Sequence, residues 1–226
     1  MVTLLRHALA IARKDLLIEL RVRELVPTMT LFAALVAVLS SMSLFVDEAT
    51  GRLVAPGVLW IAVAFAGTLG LSRTWDRERE EGALRAVLLS PASPASLFVG
   101  KALGALVFVL VTELVVAPLV ALLLHAPLFE HLGPFALLLL LGTVGFVAAG
   151  TLFGALVART RARDLLLAVV LYPLVSPALL CGVVATRDLF GGASVAQLGD
   201  WFRLLVIFDL VFIAGGVALL PTLLAD

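Results

Sequence analysis

The 226-residue chain is 62 % hydrophobic and 14 % charged, and its mean hydropathy is +1.17. Soluble domains are about 45–50 % apolar and about 25 % charged, so this composition excludes an ordinary soluble domain. Basic and acidic residues are equal in number, 16 of each, so nothing in the net charge suggests a nucleic-acid partner. The single cysteine, Cys181, excludes an internal disulfide.

The first 26 residues (1–26) predict an amphipathic helix. At 100° per residue, their basic and apolar side chains fall on opposite faces, a pattern typical of a helix that lies in the membrane interface. A helix that packs on a soluble partner is the alternative. The basic residues are Arg6, His7, Arg13, Lys14 and Arg21, and the apolar ones are Leu5, Leu9, Ala12, Leu16 and Leu20.

Residues 27–226 predict a six-helix transmembrane domain. Crossing a hydrocarbon core of ~30 Å takes about 20 helical residues, and apolar segments of roughly this length follow one another along the chain. No segment alternates with the period of two that a barrel strand requires, so the predicted fold class is an all-α membrane protein. The predicted spans are 27–46, 54–72, 97–124, 132–158, 165–186 and 201–220, with a polar turn at 47–52 and a polar loop at 187–200.

Basic residues predict the orientation of these spans. Thirteen of the sixteen Lys and Arg residues lie in the segments 6–23, 73–101 and 159–163. Loops rich in Lys and Arg stay on the cytoplasmic side, so both termini are predicted to be cytoplasmic. The remaining three basic residues, Arg52, Arg187 and Arg203, then lie on the other side.

Small residues predict close helix packing. Two G-x-x-x-G patterns occur, at 100–104 and 150–154, and Gly142, Gly145 and Ala149 extend the second. Such patterns let helix backbones approach each other, either within one chain or between two copies. Pro173 and Pro177 are expected to bend the fifth span.

Two carboxylates, Glu113 and Asp209, fall inside predicted spans. A charged carboxylate near the centre of a span costs about 2.5–3.5 kcal/mol on insertion scales, so it usually faces protein or water. Each could belong to a translocation path or a conformational switch, or be structural, protonated or bonded to a neighbouring Thr or the backbone. His125 and His131 flank the outer turn that follows the third span. They could ligate a metal or a haem iron, but isolated histidines at a membrane interface are more often hydrated polar ends.

Motifs for catalysis are missing from the sequence. Gly100-Lys101 lacks both the upstream glycine and the hydroxyl residue of a nucleotide-binding P-loop, and no H-E-x-x-H or G-x-S-x-G occurs. A membrane enzyme that pairs Glu113 with a histidine would need the two groups within a few Å. Glu113 lies about 18 Å from His125 along one helix, so only His131 or Asp209 of another span could approach it. A non-catalytic role with no metal site is therefore expected.

The charged segment 73–90 joins the second and third spans. Its alternating charges predict a solvated continuation of the second span, and Gly82 permits a break before a short helix with Leu84, Val87 and Leu88 on one side. Ser93 and Pro94 are the predicted cap and first position of the third span. A short amphipathic helix on a charged stalk favours docking of a partner protein; a plain solvated loop is the alternative.

Several motifs occur together in an order and spacing typical of one known family. The most specific are Arg13-Lys-Asp-Leu-Leu-Ile-Glu19-Leu-Arg21-Val-Arg23-Glu24 and Arg77-Glu-Arg-Glu-Glu-Gly82. Others are Gly57-Val-Leu-Trp60, Gly67-Thr-Leu-Gly70, Leu88-Leu-Ser-Pro91, Gly100-Lys101, Glu113-Leu114, Gly150-Thr-Leu-Phe153 and Phe208-Asp209. In these motifs the chain resembles the haem exporter B subunits, the CcmB family, from about residue 10 to residue 220.

The resemblance implies an ABC-type permease subunit of the bacterial cytoplasmic membrane that lacks an ATPase of its own. In this family two such subunits pair with two copies of the ATPase CcmA, and the membrane proteins CcmC and CcmD join them. ATP hydrolysis is linked to the release of the haem-loaded chaperone CcmE for cytochrome c maturation. The resemblance implies no covalently bound cofactor, ATP on the partner only, and haem as a candidate cargo.

The resemblance also implies roles for two groups of residues. Segment 78–88 would be the coupling helix that receives the ATPase stroke, and segment 13–24 would be the interfacial elbow helix. An ABC-2-type exporter subunit for a lipid or a drug is the alternative, because it shares the architecture and differs only in its partners. The residues expected at the ATPase contact are Arg77, Glu78, Arg79, Glu80, Glu81, Gly82, Leu84 and Leu88, and those of the elbow are Arg13, Arg21, Arg23 and Glu24.

Overall fold

The computed structural model describes residues 2–44, 47–80, 93–157 and 163–225. The helices in these ranges are α1 (Val2–Val22), α2 (Leu25–Leu44), α3 (Glu48–Glu80), α4 (Pro94–Leu123), α5 (Leu132–Val157), α6 (Arg163–Phe190) and α7 (Gly199–Ala225), with a 3₁₀ turn (Leu128–His131) before α5. Six of them, α2 to α7, are long and apolar enough to cross a membrane, which confirms the predicted all-α membrane class.

The polar turn predicted at 47–52 is wrong in its extent, because α3 begins at Glu48. Asp47 lies directly before the helix. Its side chain accepts a hydrogen bond from the Thr50 hydroxyl (2.7 Å), and its carbonyl accepts one from the Gly51 N–H (2.9 Å). These bonds let polar residues form the first helical turn. The loop predicted at 187–200 is likewise shorter, because α6 continues to Phe190 and α7 begins at Gly199.

The start of α4 agrees with the prediction. Ser93 is the N-cap, its side chain accepts a hydrogen bond from the Ser96 N–H (3.2 Å), and Pro94 opens the helix. Proline is tolerated there because the first N–H groups of a helix have no intrahelical acceptor.

Helices α3 and α5 form the centre of the bundle. In one apolar 18-residue segment of each span, 61 % of the residues are buried in α3 and 67 % in α5, against 22 % in α2 and in α7. Helix α3 packs on α2, α4, α5 and α6, and α5 also packs on α4, α6 and α7. The outer helix faces expose large apolar side chains such as Leu31, Leu114 and Ile207. Such faces suit contact with lipid.

The small residues of α5 and α6 make room for large side chains of α3. Trp60 is buried between Gly142 of α5 and Gly182 of α6, and its Nε1 donates a hydrogen bond to the Thr186 hydroxyl (3.0 Å). A Cβ on Gly154 would lie 2.6 Å from Trp75 Cδ1, so the 150–154 motif is also filled from α3. The second G-x-x-x-G pattern therefore serves packing within one chain.

Candidate functional site

Helix α1 packs along α4 through a face that its hydrophobic pattern does not reveal. Ala8, Ala12, Asp15 and Glu19 are its buried residues, spaced by three or four positions. Of the leucines predicted on the apolar face, Leu5, Leu9 and Leu20 point away from the protein, and Leu20 is 68 % exposed, whereas Leu16 is partly buried against the core. The exposed leucines remain available to lipid, so the interfacial placement of α1 stays a prediction.

Gly100 provides the closest approach between α1 and α4. A Cβ at Gly100 would lie 2.7 Å from the Ile11 Cβ and 2.8 Å from the carbonyl oxygen of Ala8. At Gly104, one turn further along, the nearest atom would be the Asp15 Cβ at an ordinary 3.5 Å. The first G-x-x-x-G pattern thus also makes a contact within the chain, and Gly100 is its tight point.

A buried ion pair joins the same two helices. Lys101 is 1 % exposed, and its Nζ lies 2.9 Å from Asp15 Oδ2, while Lys14 Nζ lies 3.2 Å from Asp15 Oδ1. Buried charges are retained only with close partners, because desolvation costs several kcal/mol per ion. The sequence pattern did not predict this pair. Its only signal is that Lys101 lies one residue beyond Gly100, on a helix whose one other charged residue is Glu113.

The junction between α1 and α2 corrects the predicted elbow helix. Helix α1 ends at Val22, and Arg23 has a φ of 54°, so Arg23 and Glu24 form a turn and not part of a helix. The turn is held by Glu19, whose carbonyl accepts from the Arg23 N–H (2.7 Å) and whose Oε1 accepts from the Val26 N–H (2.9 Å). Arg13 and Arg21 lie on α1, and their side chains are exposed.

Glu113 and Asp209 are both buried against α5. Thr143 of α5 donates a hydrogen bond to Glu113 Oε1 (2.5 Å), whereas Glu113 Oε2 has no hydrogen-bond partner among the described residues. Asp209 of α7 lies over Gly145, where a Cβ would be 2.5 Å from Asp209 Oδ1. Because Thr143 and Gly145 are about 200° apart around α5, the two carboxyls contact this helix on nearly opposite faces at one depth.

The two histidines stay near the turn between α4 and α5. His125 has a φ of 55° and an exposed side chain, and His131 ends the 3₁₀ turn. In the described ranges no group of three or more His, Cys, Asp or Glu side chains is placed to hold a metal ion.

Comparison with known proteins shows which family the chain belongs to. A model of the CcmB protein family matches residues 6–221. The chain belongs to the CcmB family. Among its relatives, heme exporter protein B of Bradyrhizobium diazoefficiens is 30 % identical over 92 % of each chain. Heme exporter protein B of Pseudomonas aeruginosa is 31 % identical over 77 % of this chain and 78 % of its own. That of Paracoccus denitrificans is 34 % identical over 62 % of this chain and 64 % of its own.

In this CcmB-family protein, the predicted ATPase contact begins where α3 ends. Arg77 to Glu80 belong to the last turn of α3, and only their backbone is described. Helix α3 therefore continues about 8 Å past the apolar span that ends at Trp75. The other predicted contact residues, Glu81, Gly82, Leu84 and Leu88, lie outside the described residues, and the coupling role of all eight stays a prediction.

Proposed function

We propose that this protein is the membrane permease subunit of an ABC complex that exports or hands over haem for cytochrome c biogenesis. The observation that carries the proposal is family membership over residues 6–221, together with relatives named heme exporter protein B. Six helices able to span a membrane fit a permease. The sequence has no P-loop, so ATP hydrolysis belongs to a separate chain, with CcmA as the proposed ATPase.

Two copies of this chain assemble in the proposed complex with the ATPase and with the membrane proteins CcmC and CcmD. The ATPase contacts the charged extension of α3 and the segment that follows it. The conformational change driven by ATP hydrolysis then passes to α4, which begins at Pro94 directly after that segment. This change is proposed to release the haem-loaded chaperone CcmE. The complex resides in the bacterial cytoplasmic membrane, with both termini of this subunit in the cytoplasm.

Co-purification tests the proposed coupling. Affinity-tagged protein is expected to retain the ATPase through detergent extraction, and reversal of all five charges at 77–81 is expected to abolish that retention. The matched control is Arg203→Glu in the exposed Arg203–Asp200 pair (3.1 Å), on the predicted opposite side of the membrane. Retention of the ATPase by the 77–81 variant would contradict the coupling role. If the native complex assembles but cells that lack this gene keep normal c-type cytochromes, an exporter of another cargo, such as a lipid or a drug, is favoured.

A further inference from the structure

A cleft lies between the start of α3 and the end of α6, at the end of the bundle that is predicted to face away from the cytoplasm. It has a volume of about 480 Å³, and its lining side chains include Glu48, Arg52 and Leu53 of α3 and Arg187 and Phe190 of α6. Small-molecule sites span about 300–1,000 Å³ and combine apolar walls with a few placed polar groups. The cleft has both properties, and two of the three basic residues predicted on this side of the membrane line it.

The guanidinium groups of the two arginines keep hydrogen-bond donors for a ligand. Arg52 Nη2 lies 4.0 Å from Glu48 Oε2, and Arg187 Nη2 lies 3.8 Å from Asp188 Oδ1. Both distances exceed the ~3.2 Å of a hydrogen bond, so these acids balance the charge of the arginines without taking up their N–H donors. Each guanidinium carries its donors in a planar fork that matches the oxygens of a phosphate group. Because the charges are balanced, a singly charged phosphodiester suits the cleft better than a polyanion.

The depth of the two arginines matches the level of phospholipid headgroups. The α3 span begins at Glu48 and has 28 residues, about 42 Å, and the α6 span ends at Phe190 and has 26 residues, about 39 Å. Both exceed the hydrocarbon thickness of ~30 Å, by about 12 Å and about 9 Å. When each span is centred in the bilayer, the hydrocarbon begins about 6 Å from Glu48 and about 4.5 Å from Phe190, which is at Arg52 and at Arg187. Both guanidinium groups then lie where the hydrocarbon meets the headgroups.

Apolar side chains beside the arginines select a ligand with an apolar part. Leu53 follows Arg52 and is 64 % exposed, and Phe190 lies in the α6 wall of the cleft. The Phe190 ring stacks on Phe135 with 5.7 Å between the ring centroids, which fixes that wall. An inorganic phosphate or a peptide carboxylate would use the arginines but leave this apolar surface uncovered. A phospholipid covers it with its acyl chains and reaches the cleft from the bilayer.

We propose that the cleft holds one phospholipid molecule, whose phosphodiester group accepts hydrogen bonds from Arg52 and Arg187. The first part of its acyl chains packs on Leu53 and Phe190. The inference goes beyond the proposed function, because it requires neither haem nor an ATPase. It also holds for either orientation of the protein, since both leaflets of a membrane contain phospholipid.

Native mass spectrometry of the purified full-length protein in a mild detergent tests the proposal. The probe is dioleoylphosphatidylethanolamine, and dioleoylglycerol, which has the same chains but no phosphate, is the matched compound. We expect the first phospholipid molecule to bind about tenfold or more tightly than dioleoylglycerol, which corresponds to about 1.4 kcal/mol. In the double variant Arg52→Met with Arg187→Met, the phospholipid should bind no better than dioleoylglycerol. In Arg203→Met, which changes the exposed arginine on the same predicted side, the preference should persist.

Equal affinity for the two compounds in the native protein would overturn the proposal. So would a phospholipid preference that survives the double variant, or one that Arg203→Met abolishes equally. Displacement of the phospholipid by the water-soluble headgroup glycerophosphoethanolamine would assign the cleft to a soluble phosphodiester and overturn the lipid as its occupant. If the double variant does not fold, the single variants decide, since each should lose part of the preference. The assay contains no ATPase and no haem, so its failure leaves the proposed permease function untouched.

Discussion

Apart from Glu19, which holds the turn before α2, the buried ionisable side chains that the structure describes occur in two settings. Asp15 and Lys101 satisfy each other where α1 crosses α4. Glu113 and Asp209 lie deeper and meet a hydroxyl and a glycine backbone instead of a basic side chain among the described residues. The first setting is typical of a structural ion pair, whereas the second leaves one oxygen of each carboxyl buried without a hydrogen-bond partner among the described residues.

The Asp15–Lys101 pair predicts an asymmetric stability effect. Removing one partner of a buried pair strands the other, so Lys101→Met should lower the free energy of unfolding by about 3 kcal/mol, the low end of the known range because Lys14 still contacts Asp15. The double variant Asp15→Leu with Lys101→Met should recover most of this loss. The free energies of unfolding of both variants are measured in the same detergent. Arg203→Met, in an exposed pair, is the control that should not change stability.

A Lys101→Met protein as stable as the native one would contradict the structural role of the pair. A double variant less stable than Lys101→Met alone would also contradict it. The loss of stability in Lys101→Met could then not come from leaving Asp15 without its partner.

At the scale of helices, the sequence predicted all six spans but not their contacts. Hydropathy is a local property, and it placed every span to within a few residues wherever no polar cap intervened. Hydropathy misplaced the start of α3, because Asp47 caps the helix and lets it begin at Glu48, within a charged stretch. The pairing of Asp15 with Lys101, 86 positions later, depends on how two helices cross, and no local pattern contains that information.

Glu113 shows the same division within the candidate site. Its isolation in an apolar span is a local feature, so the sequence alone identifies it as a candidate. Its partner Thr143 belongs to another helix 30 residues away, so this contact exists only once α4 and α5 are packed together.

The contact between α1 and α4 predicts different outcomes for two neighbouring glycines. Gly100→Ala places a Cβ 2.8 Å from a backbone oxygen, and overpacking of this kind costs about 1–3 kcal/mol. Gly104→Ala meets only ordinary contacts and should keep or slightly raise stability. Thermal unfolding of the two purified variants in one detergent makes the comparison. Equal melting temperatures would mean that α1 does not pack on α4 as described.

At the scale of the whole molecule, the distribution of Lys and Arg predicts which ends face the cytoplasm. In a background with the buried Cys181 changed to Ala, we expect Phe129→Cys to react with a membrane-impermeant maleimide on intact spheroplasts. Phe129 is exposed in the turn between α4 and α5. Arg6→Cys should react only after the membrane is opened. The reverse pattern would invert the topology and place the 77–81 segment out of reach of a cytoplasmic ATPase.

The most direct test of the proposed function is made in cells that lack this gene. Covalent haem in c-type cytochromes and haem bound to the chaperone CcmE are measured together, with and without the native gene restored. We predict that c-type cytochromes are lost, that haem accumulates on the chaperone, and that the native gene reverses both. Normal c-type cytochromes in the deleted cells would contradict a role in cytochrome c biogenesis and leave a permease with another cargo.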